Sequence, residues 1–225
     1  MYPLHREVDF RRRGTPLSQN HDKRSRSDYH HGDLRQALID AALEMVEEHG
    51  LSSLSLRKIA RRVGVTHSAP YRHFDDKGAL VAAMAEAGFE ELHEYMIRER
   101  DREDGPPTEE LYALGLAYVL FAVDRPNHFR AMFGPEVRDG SQYPRLAEAH
   151  DTAFELLHQA VAKCQAEGFI REDETDKHAR TCWTIVHGIA SLCVNGLIED
   201  DSREAVEDVV RSSTTSLFYG LAKRD

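Results

Sequence analysis

The chain lacks the features of a membrane or secreted protein. No apolar run reaches the eighteen or so residues that a bilayer-spanning helix needs. The N-terminal arginines are not followed by the apolar segment of a signal peptide. The cysteines Cys164, Cys182 and Cys193 form no C-x-x-C pair, a pattern typical of a reduced protein rather than a disulfide framework or zinc site. We expect a cytoplasmic protein with no membrane partner.

Catalytic signatures are also missing. The sequence contains no Gly-rich phosphate loop, no G-x-S-x-G elbow and no H-E-x-x-H pair. It has no internal repeat and no strand-like alternation, whereas helical spacing of apolar residues recurs throughout. We expect an all-α fold of about nine helices, with no catalytic residue, no metal and no cofactor.

The charge is unevenly distributed. A formal net charge of -10 disfavours nucleic-acid binding for the chain as a whole. However, residues 1–75 sum to +3 and residues 76–225 to -13. Only the N-terminal part is therefore suited to meet phosphate. The first 28 residues are polar and rich in arginine, which predicts a disordered basic arm (or a solvated tail with no role).

Three helices are expected between residues 29 and 76. Asp33 is a suitable N-cap for the first helix, which Gly50 would end. Ser55 would cap a short second helix, followed by a turn at Gly64 that needs a positive φ. Thr66 would cap a third helix running to about His73. Two short helices joined by a glycine turn, after a supporting helix, make a helix-turn-helix, whose second helix enters the major groove of DNA.

Two runs of residues resemble the DNA-binding domain of the tetracycline-repressor (TetR) family. The resemblance covers about residues 30–80, and it departs from the usual pattern at residues 68–70, so operator sequences of relatives cannot be transferred. The runs are Ser55-Leu56-Arg57-Lys58-Ile59-Ala60-Arg61-Arg62-Val63-Gly64-Val65 and Pro70-Tyr71-Arg72-His73-Phe74-Asp75-Asp76-Lys77.

The resemblance implies roles for the matching residues in binding double-stranded operator DNA. Tyr71 and Lys77 would bind phosphates, and Arg57 would bind a flanking phosphate. The alternative for Tyr71 is a core aromatic, and for Arg57 a solvated surface charge. Bases in the groove would be faced by Thr66, His67, Ser68 and Arg72.

The resemblance also implies that residues 77–225 dimerise and bind a ligand. Apolar stripes over residues 183–197 and 206–217 could form a homodimer interface through the last two helices. The alternative is that both stripes pack inside one chain. Residues 183–188 are similar to the Trp and His-Gly motif of one C-terminal subclass of the family.

A ligand pocket needs apolar walls with a few polar groups. For each aromatic or methionine at helical spacing, the alternative is an ordinary core position. The candidates for binding an unidentified small-molecule effector are Tyr95, Tyr112, Tyr118, Phe121, Met132, Phe154, Trp183 and His187.

The favoured function is thus a ligand-responsive, TetR-like repressor. Two other functions compete with it. One is an all-α metal-dependent phosphohydrolase that uses the His150-Asp151 pair with His128 and Asp176. The other is a helical interaction module that does not bind DNA.

Overall fold

Eight α-helices and four short 3-10 helices make up the part of the chain that the structure describes, and that part contains no strand. The structure is a computed structural model that describes residues 34–198, 200 and 202–220. The predicted all-α class is confirmed, whereas the predicted basic arm and the Asp33 cap lie outside the described residues. The α-helices are α1 (Leu34–His49), α2 (Leu56–Val63), α3 (Lys77–Arg100), α4 (Pro107–Asp124), α5 (Pro126–Met132), α6 (Pro144–Ala166), α7 (Thr175–Val194) and α8 (Arg203–Tyr219).

Three local signals place the early helices. The Ser55 hydroxyl accepts a hydrogen bond from the Lys58 N–H at 3.3 Å and so caps α2. Gly64 ends α2 with φ at 81°, as the sequence predicts. The Asp76 carboxylate accepts from the Ala79 N–H at 2.8 Å and caps α3. Side-chain chemistry therefore determines where these helices begin.

The helix predicted after Thr66 is shorter and tighter than expected. The chain turns at residues 67–68 and then forms a 3-10 helix, Pro70–Arg72. Pro70 has no N–H to bond the Thr66 carbonyl, which instead accepts from Ala69 at 3.0 Å. The tighter i→i+3 bonding follows from this missing donor.

Helix α5 begins directly after α4, at Pro126, and proline has two effects here. Proline does end α4, whose last residue is Asp124. Its fixed φ also suits the first position of a helix, where a missing N–H costs nothing. The chain therefore kinks at Arg125 and starts α5 at once.

Helix α7 ends at Val194, three residues before the end of the apolar stripe over residues 183–197. Gly196 adopts a φ of 66°, and the Leu197 N–H reaches back to the Leu192 carbonyl at 2.9 Å. This pairing closes the helix end before the apolar stripe of the sequence stops.

The helices pack around α3. It contacts α4, α5 and α6, while α7 and α8 pack against α4. One hydrophobic core continues from Leu38 in α1 through Leu80 and Met84 in α3 to Val210 in α8. Residues from Leu34 onward form one compact unit, so the division at residue 76 stays a prediction. None of the described helices is long and apolar enough to cross a membrane.

The predicted interface stripes face mostly inward. Val186, Ala190, Val206 and Val210 are buried within the single chain. For these four residues the alternative of packing inside one chain is the correct one. Leu197 is 70 % exposed. Helical spacing shows that a face is apolar but not which neighbour covers it, and here α4 covers most of it.

Candidate nucleic-acid interface and C-terminal cavities

Six of the seven residues predicted to contact DNA are exposed on α2 and the segment that follows it. Tyr71 is 49 % exposed, which rules out the core position that was its alternative. Buried Ile59 and Phe74 support this surface from beneath. The six residues are Arg57, Thr66, His67, Ser68, Tyr71 and Arg72.

An arginine on α2 joins the first two helices. Arg62 donates two hydrogen bonds to the Glu48 carboxylate, at 2.7 and 2.5 Å, and one to Glu44 at 3.1 Å. This pairing lowers the pKa of Glu48 below its usual value. Arg62 therefore orients α2 on α1, whereas Arg57 and Arg72 have no ion pair within the described residues and stay available for phosphate.

Lys77, the seventh predicted contact, lies at the first position of α3. Its ammonium nitrogen is 3.1 Å from Glu136 Oε1, and the Lys77 side chain is 32 % exposed. The other oxygen, Glu136 Oε2, is buried without a hydrogen-bond partner among the described residues. Sequence reasoning missed Glu136, because nothing in the sequence indicates that residues 59 positions apart meet.

Two family profiles match the chain. Residues 38–84 match "Bacterial regulatory proteins, tetR family", and residues 111–213 match "Tetracyclin repressor-like, C-terminal domain". The chain belongs to the TetR family. It is a DNA-binding transcriptional regulator, which excludes the alternative of a helical module that does not bind DNA. The Trp and His-Gly subclass stays a prediction.

Relatives of the regulator extend over most of its length. A protein of unknown function from Rhodococcus sp. RHA1 is 32 % identical, with a TM-score of 0.74, over 88 % of this chain and 100 % of that one. The HTH-type transcriptional regulator SrpR of Pseudomonas putida is 29 % identical over 82 % of this chain and 84 % of its own. Tetracycline repressor protein class G of Vibrio anguillarum is 27 % identical over 76 % and 71 %.

The regulator has a small apolar cavity between α3, α4, α6 and α7, which we call the inner cavity. Its volume is about 30 Å³, well below the roughly 300–1,000 Å³ of typical ligand sites. Three of the predicted ligand-binding residues line it, namely Tyr118, Phe154 and Trp183. An effector can enter only if these walls move apart.

His187 is enclosed beside the inner cavity. Its Nδ1 shares a 2.8 Å hydrogen bond with the Tyr118 hydroxyl, and its ring lies 4.5 Å from Phe133 and 5.1 Å from Trp183. Burial lowers the pKa of His187 and raises that of Tyr118. His187 thus has a hydrogen-bond partner at Nδ1 and joins the cavity wall to Phe133.

The lowered pKa of His187 predicts a pH-dependent stability. A histidine that resists protonation when folded stabilises the protein fully above its unfolded pKa of about 6.5 and loses this contribution as the pH falls through the folded value. We expect His187→Gln, which keeps a hydrogen-bonding side chain but does not titrate, to show a smaller loss of unfolding free energy on acidification. Urea unfolding at a series of pH values measures it, and parallel curves for the two proteins would contradict it.

Three of the other predicted ligand contacts also lie outside the lining of the inner cavity. Phe121 is fully buried in the core, and Tyr95 donates a hydrogen bond to Asp124 at 3.2 Å. Met132 packs against α3, where a Cβ on Gly88 would lie 2.8 Å from its sulfur. Helical spacing marks all three as apolar positions and cannot separate core from cavity.

His150, the centre of the phosphohydrolase alternative, lines the inner cavity. Its ring meets that of Phe89 edge-on at 5.2 Å, and its Nδ1 lies 3.0 Å from Asp151. Asp176 pairs instead with His158, at 3.2 Å. Within the described residues no three His, Cys, Asp or Glu side chains are grouped to hold a metal. His150 thus belongs to the cavity wall, and the Asp151 side chain is exposed.

A larger cavity of about 780 Å³, which we call the outer cavity, opens between α4, α7 and α8. Tyr112, a sequence candidate for the ligand site, lies in its wall. So does Arg211, whose guanidinium carbon is 4.2 Å from the centre of the Tyr112 ring. Sequence reasoning did not predict this cavity, since it depends on how α8 crosses α4.

Proposed function

We propose that the regulator is a repressor that a small hydrophobic ligand releases from its operator. The observation that carries this proposal is that one helix, α3, bears Lys77 at its first residue and contributes Phe89 and Leu92 to the inner cavity. These residues lie within about 25 Å along a continuous helix, at ~1.5 Å per residue. Any widening of the cavity that tilts α3 therefore moves Lys77.

The proposed contacts to DNA follow the exposure of the side chains. The Tyr71 hydroxyl and the Lys77 ammonium bind phosphates, and the N-terminus of α3 adds its own positive end. Arg57 binds a flanking phosphate. Base edges in the major groove are read by Thr66, His67, Ser68 and Arg72.

A homodimer through α7 and α8 completes the proposal. Leu192 and Leu197 are 45 % and 70 % exposed at the end of α7, where a second copy would cover them. Each subunit contributes one recognition segment, residues 66–72. A dimer places the two recognition segments about 34–36 Å apart, which is one helical turn of DNA. The protein then acts where the DNA is, in the cytoplasm, and performs no catalysis.

Ligand action is a shift between two conformers of this dimer. A ligand changes operator affinity only by the ratio of its affinities for the two conformers. Since the inner cavity is nearly filled without ligand, the ligand-bound conformer has a wider cavity and a different spacing of the recognition segments.

Selection of bound duplexes from a random-sequence pool tests directly whether the protein binds a specific operator through the proposed contacts. We expect enrichment of an inverted repeat, and binding that weakens steeply with salt, because phosphate contacts release counterions. A compound library screened for release of the selected duplex then tests the ligand. No enriched sequence at low salt would overturn the proposed contacts.

Glu136 provides a prediction about the free protein. Its carboxylate holds the Lys77 ammonium that the operator phosphate needs, and its charge repels that phosphate. We expect Glu136→Gln to tighten binding to the selected duplex, on the order of fivefold, as expected for a partly exposed ion pair in both subunits. Fluorescence anisotropy measures it. If the variant binds more weakly, Glu136 orients Lys77 for DNA instead of competing for it.

A further inference from the structure

The outer cavity borders the inner cavity. Gly115, Leu157 and Val186 line both of them. A Cβ on Gly115 would lie 3.2 Å from Val186 Cγ1, so α4 and α7 approach closely at this wall. Gly115 places no side chain in this wall, which Val186 and Leu157 also form.

The outer cavity carries more positive than negative charge. Among the described residues, Arg171, Lys177 and Arg211 line it, against the single carboxylate of Glu109. Arg171 is paired with Asp173 at 3.0 Å and Lys177 with Glu174 at 3.1 Å. Arg211 has no carboxylate partner in the described part of the chain.

Arg211 lies beside the hydroxyl group of Tyr112. The Tyr112 oxygen is buried and has no hydrogen-bond partner among the described residues. Burial raises the pKa of this phenol, with the nearby Arg211 charge acting the other way, so the group keeps its proton and can donate. A guanidinium and a phenol O–H together match the oxygens of a carboxylate or a similar head group.

We propose that the outer cavity binds the anionic head group of an amphipathic effector through Arg211 and Tyr112. The apolar tail passes Gly115 and enters the inner cavity beside Trp183. This assignment rests on the proposed ligand response and specifies the class of ligand: an anion with a slender apolar tail. It also explains how a small inner cavity serves a larger ligand, since the head group occupies the 780 Å³ outside.

The chain contains a single tryptophan, Trp183, in the inner cavity, and this provides a direct readout. Bromine quenches tryptophan fluorescence on contact, so ω-bromododecanoate reports arrival of the tail. We expect saturable quenching by the full-length protein without DNA. The neutral ω-bromododecanol, with the same tail, should bind about tenfold more weakly, because it lacks charge-assisted hydrogen bonds to the guanidinium.

Two arginine variants of α8 separate the head-group site from general charge. Arg211→Gln should weaken the carboxylate about tenfold and leave the alcohol unchanged. Arg203→Gln removes an arginine that pairs with Glu207 and does not line the cavity, so it should change neither ligand. Equal affinities for acid and alcohol in the wild-type protein, or equal effects of both variants, would overturn the assignment.

Release of DNA distinguishes this inference from the proposed function. Arg211-dependent quenching without release of the selected duplex would leave the anion site standing and refute ligand-driven release. Release by neutral compounds that is insensitive to Arg211→Gln would support the proposed function and refute the anion site. If binding of ω-bromododecanoate depends on Arg211 but does not quench Trp183, the proposed path of the apolar tail past Gly115 into the inner cavity is wrong.

Discussion

Replacing Lys77 by alanine is expected to lower the affinity of the dimer for its operator about a hundredfold. Each subunit loses one hydrogen bond between charged groups, worth about 1.5–3 kcal/mol, and the dimer loses two. Part of this loss is offset, because wild-type Lys77 must first leave Glu136, 3.1 Å away. The slope of log affinity against log salt should also become shallower by about two, because two phosphates are no longer neutralised.

A matched control is available on α6. Lys163 is also ion-paired with a glutamate, Glu110 at 2.6 Å, but it lies in the C-terminal half. Lys163→Ala should leave both the affinity and the salt slope of the selected duplex unchanged. An unaltered salt slope in Lys77→Ala, or an equal loss of operator affinity in Lys163→Ala, would show that Lys77 does not contact DNA. The proposed coupling of the inner cavity to DNA through α3 would then fall as well.

Replacing Phe121 by alanine is expected to destabilise the protein by about 3–5 kcal/mol. The ring is fully buried, and it meets the Tyr95 ring edge-on at 5.6 Å. Its removal leaves a cavity beside the last turn of α4 that the surrounding helices cannot close. Urea unfolding followed by circular dichroism measures this loss.

Phe154→Ala is the informative comparison for Phe121→Ala. Phe154 is only half-buried, lines the inner cavity and has the guanidinium of Arg180 5.7 Å from its ring centre. We expect a smaller loss of stability than in Phe121→Ala, together with a changed response of Trp183 to apolar ligands. Similar losses of unfolding free energy in the two variants would show that the greater burial of Phe121 does not make it more important for stability than Phe154.

The residues predicted to form each site lie together to different extents in the two halves of the chain. The predicted DNA contacts Tyr71 and Lys77 belong, with Phe74, to one short motif that is visible in the sequence. Local hydrogen bonds then determine which side chains of this motif point outward. For ligand contacts, only Tyr118, Phe154 and Trp183 reach the inner cavity. The spacing that marks them marks Phe121 equally, because an apolar stripe records burial and not what lies opposite.

Helix boundaries show the same division. Ser55, Gly64 and Asp76 act through bonds to residues within five positions, so the sequence alone determines the beginnings of α2 and α3 and the turn between them. The sequence also determines the all-α class, since the helical period of apolar residues is a local property. Family membership follows from these short-range features together with Tyr71 and Lys77.

Only the tertiary structure decided which groups meet across the chain. The pairing of Lys77 with Glu136, the enclosure of His187 by Tyr118 and Phe133, and the outer cavity under α8 all join residues far apart in sequence. Such contacts depend on how helices cross. The crossing angle and distance are determined jointly by the volumes of the side chains at every helix contact. The sequence thus determines what each segment is, and packing determines what each segment touches.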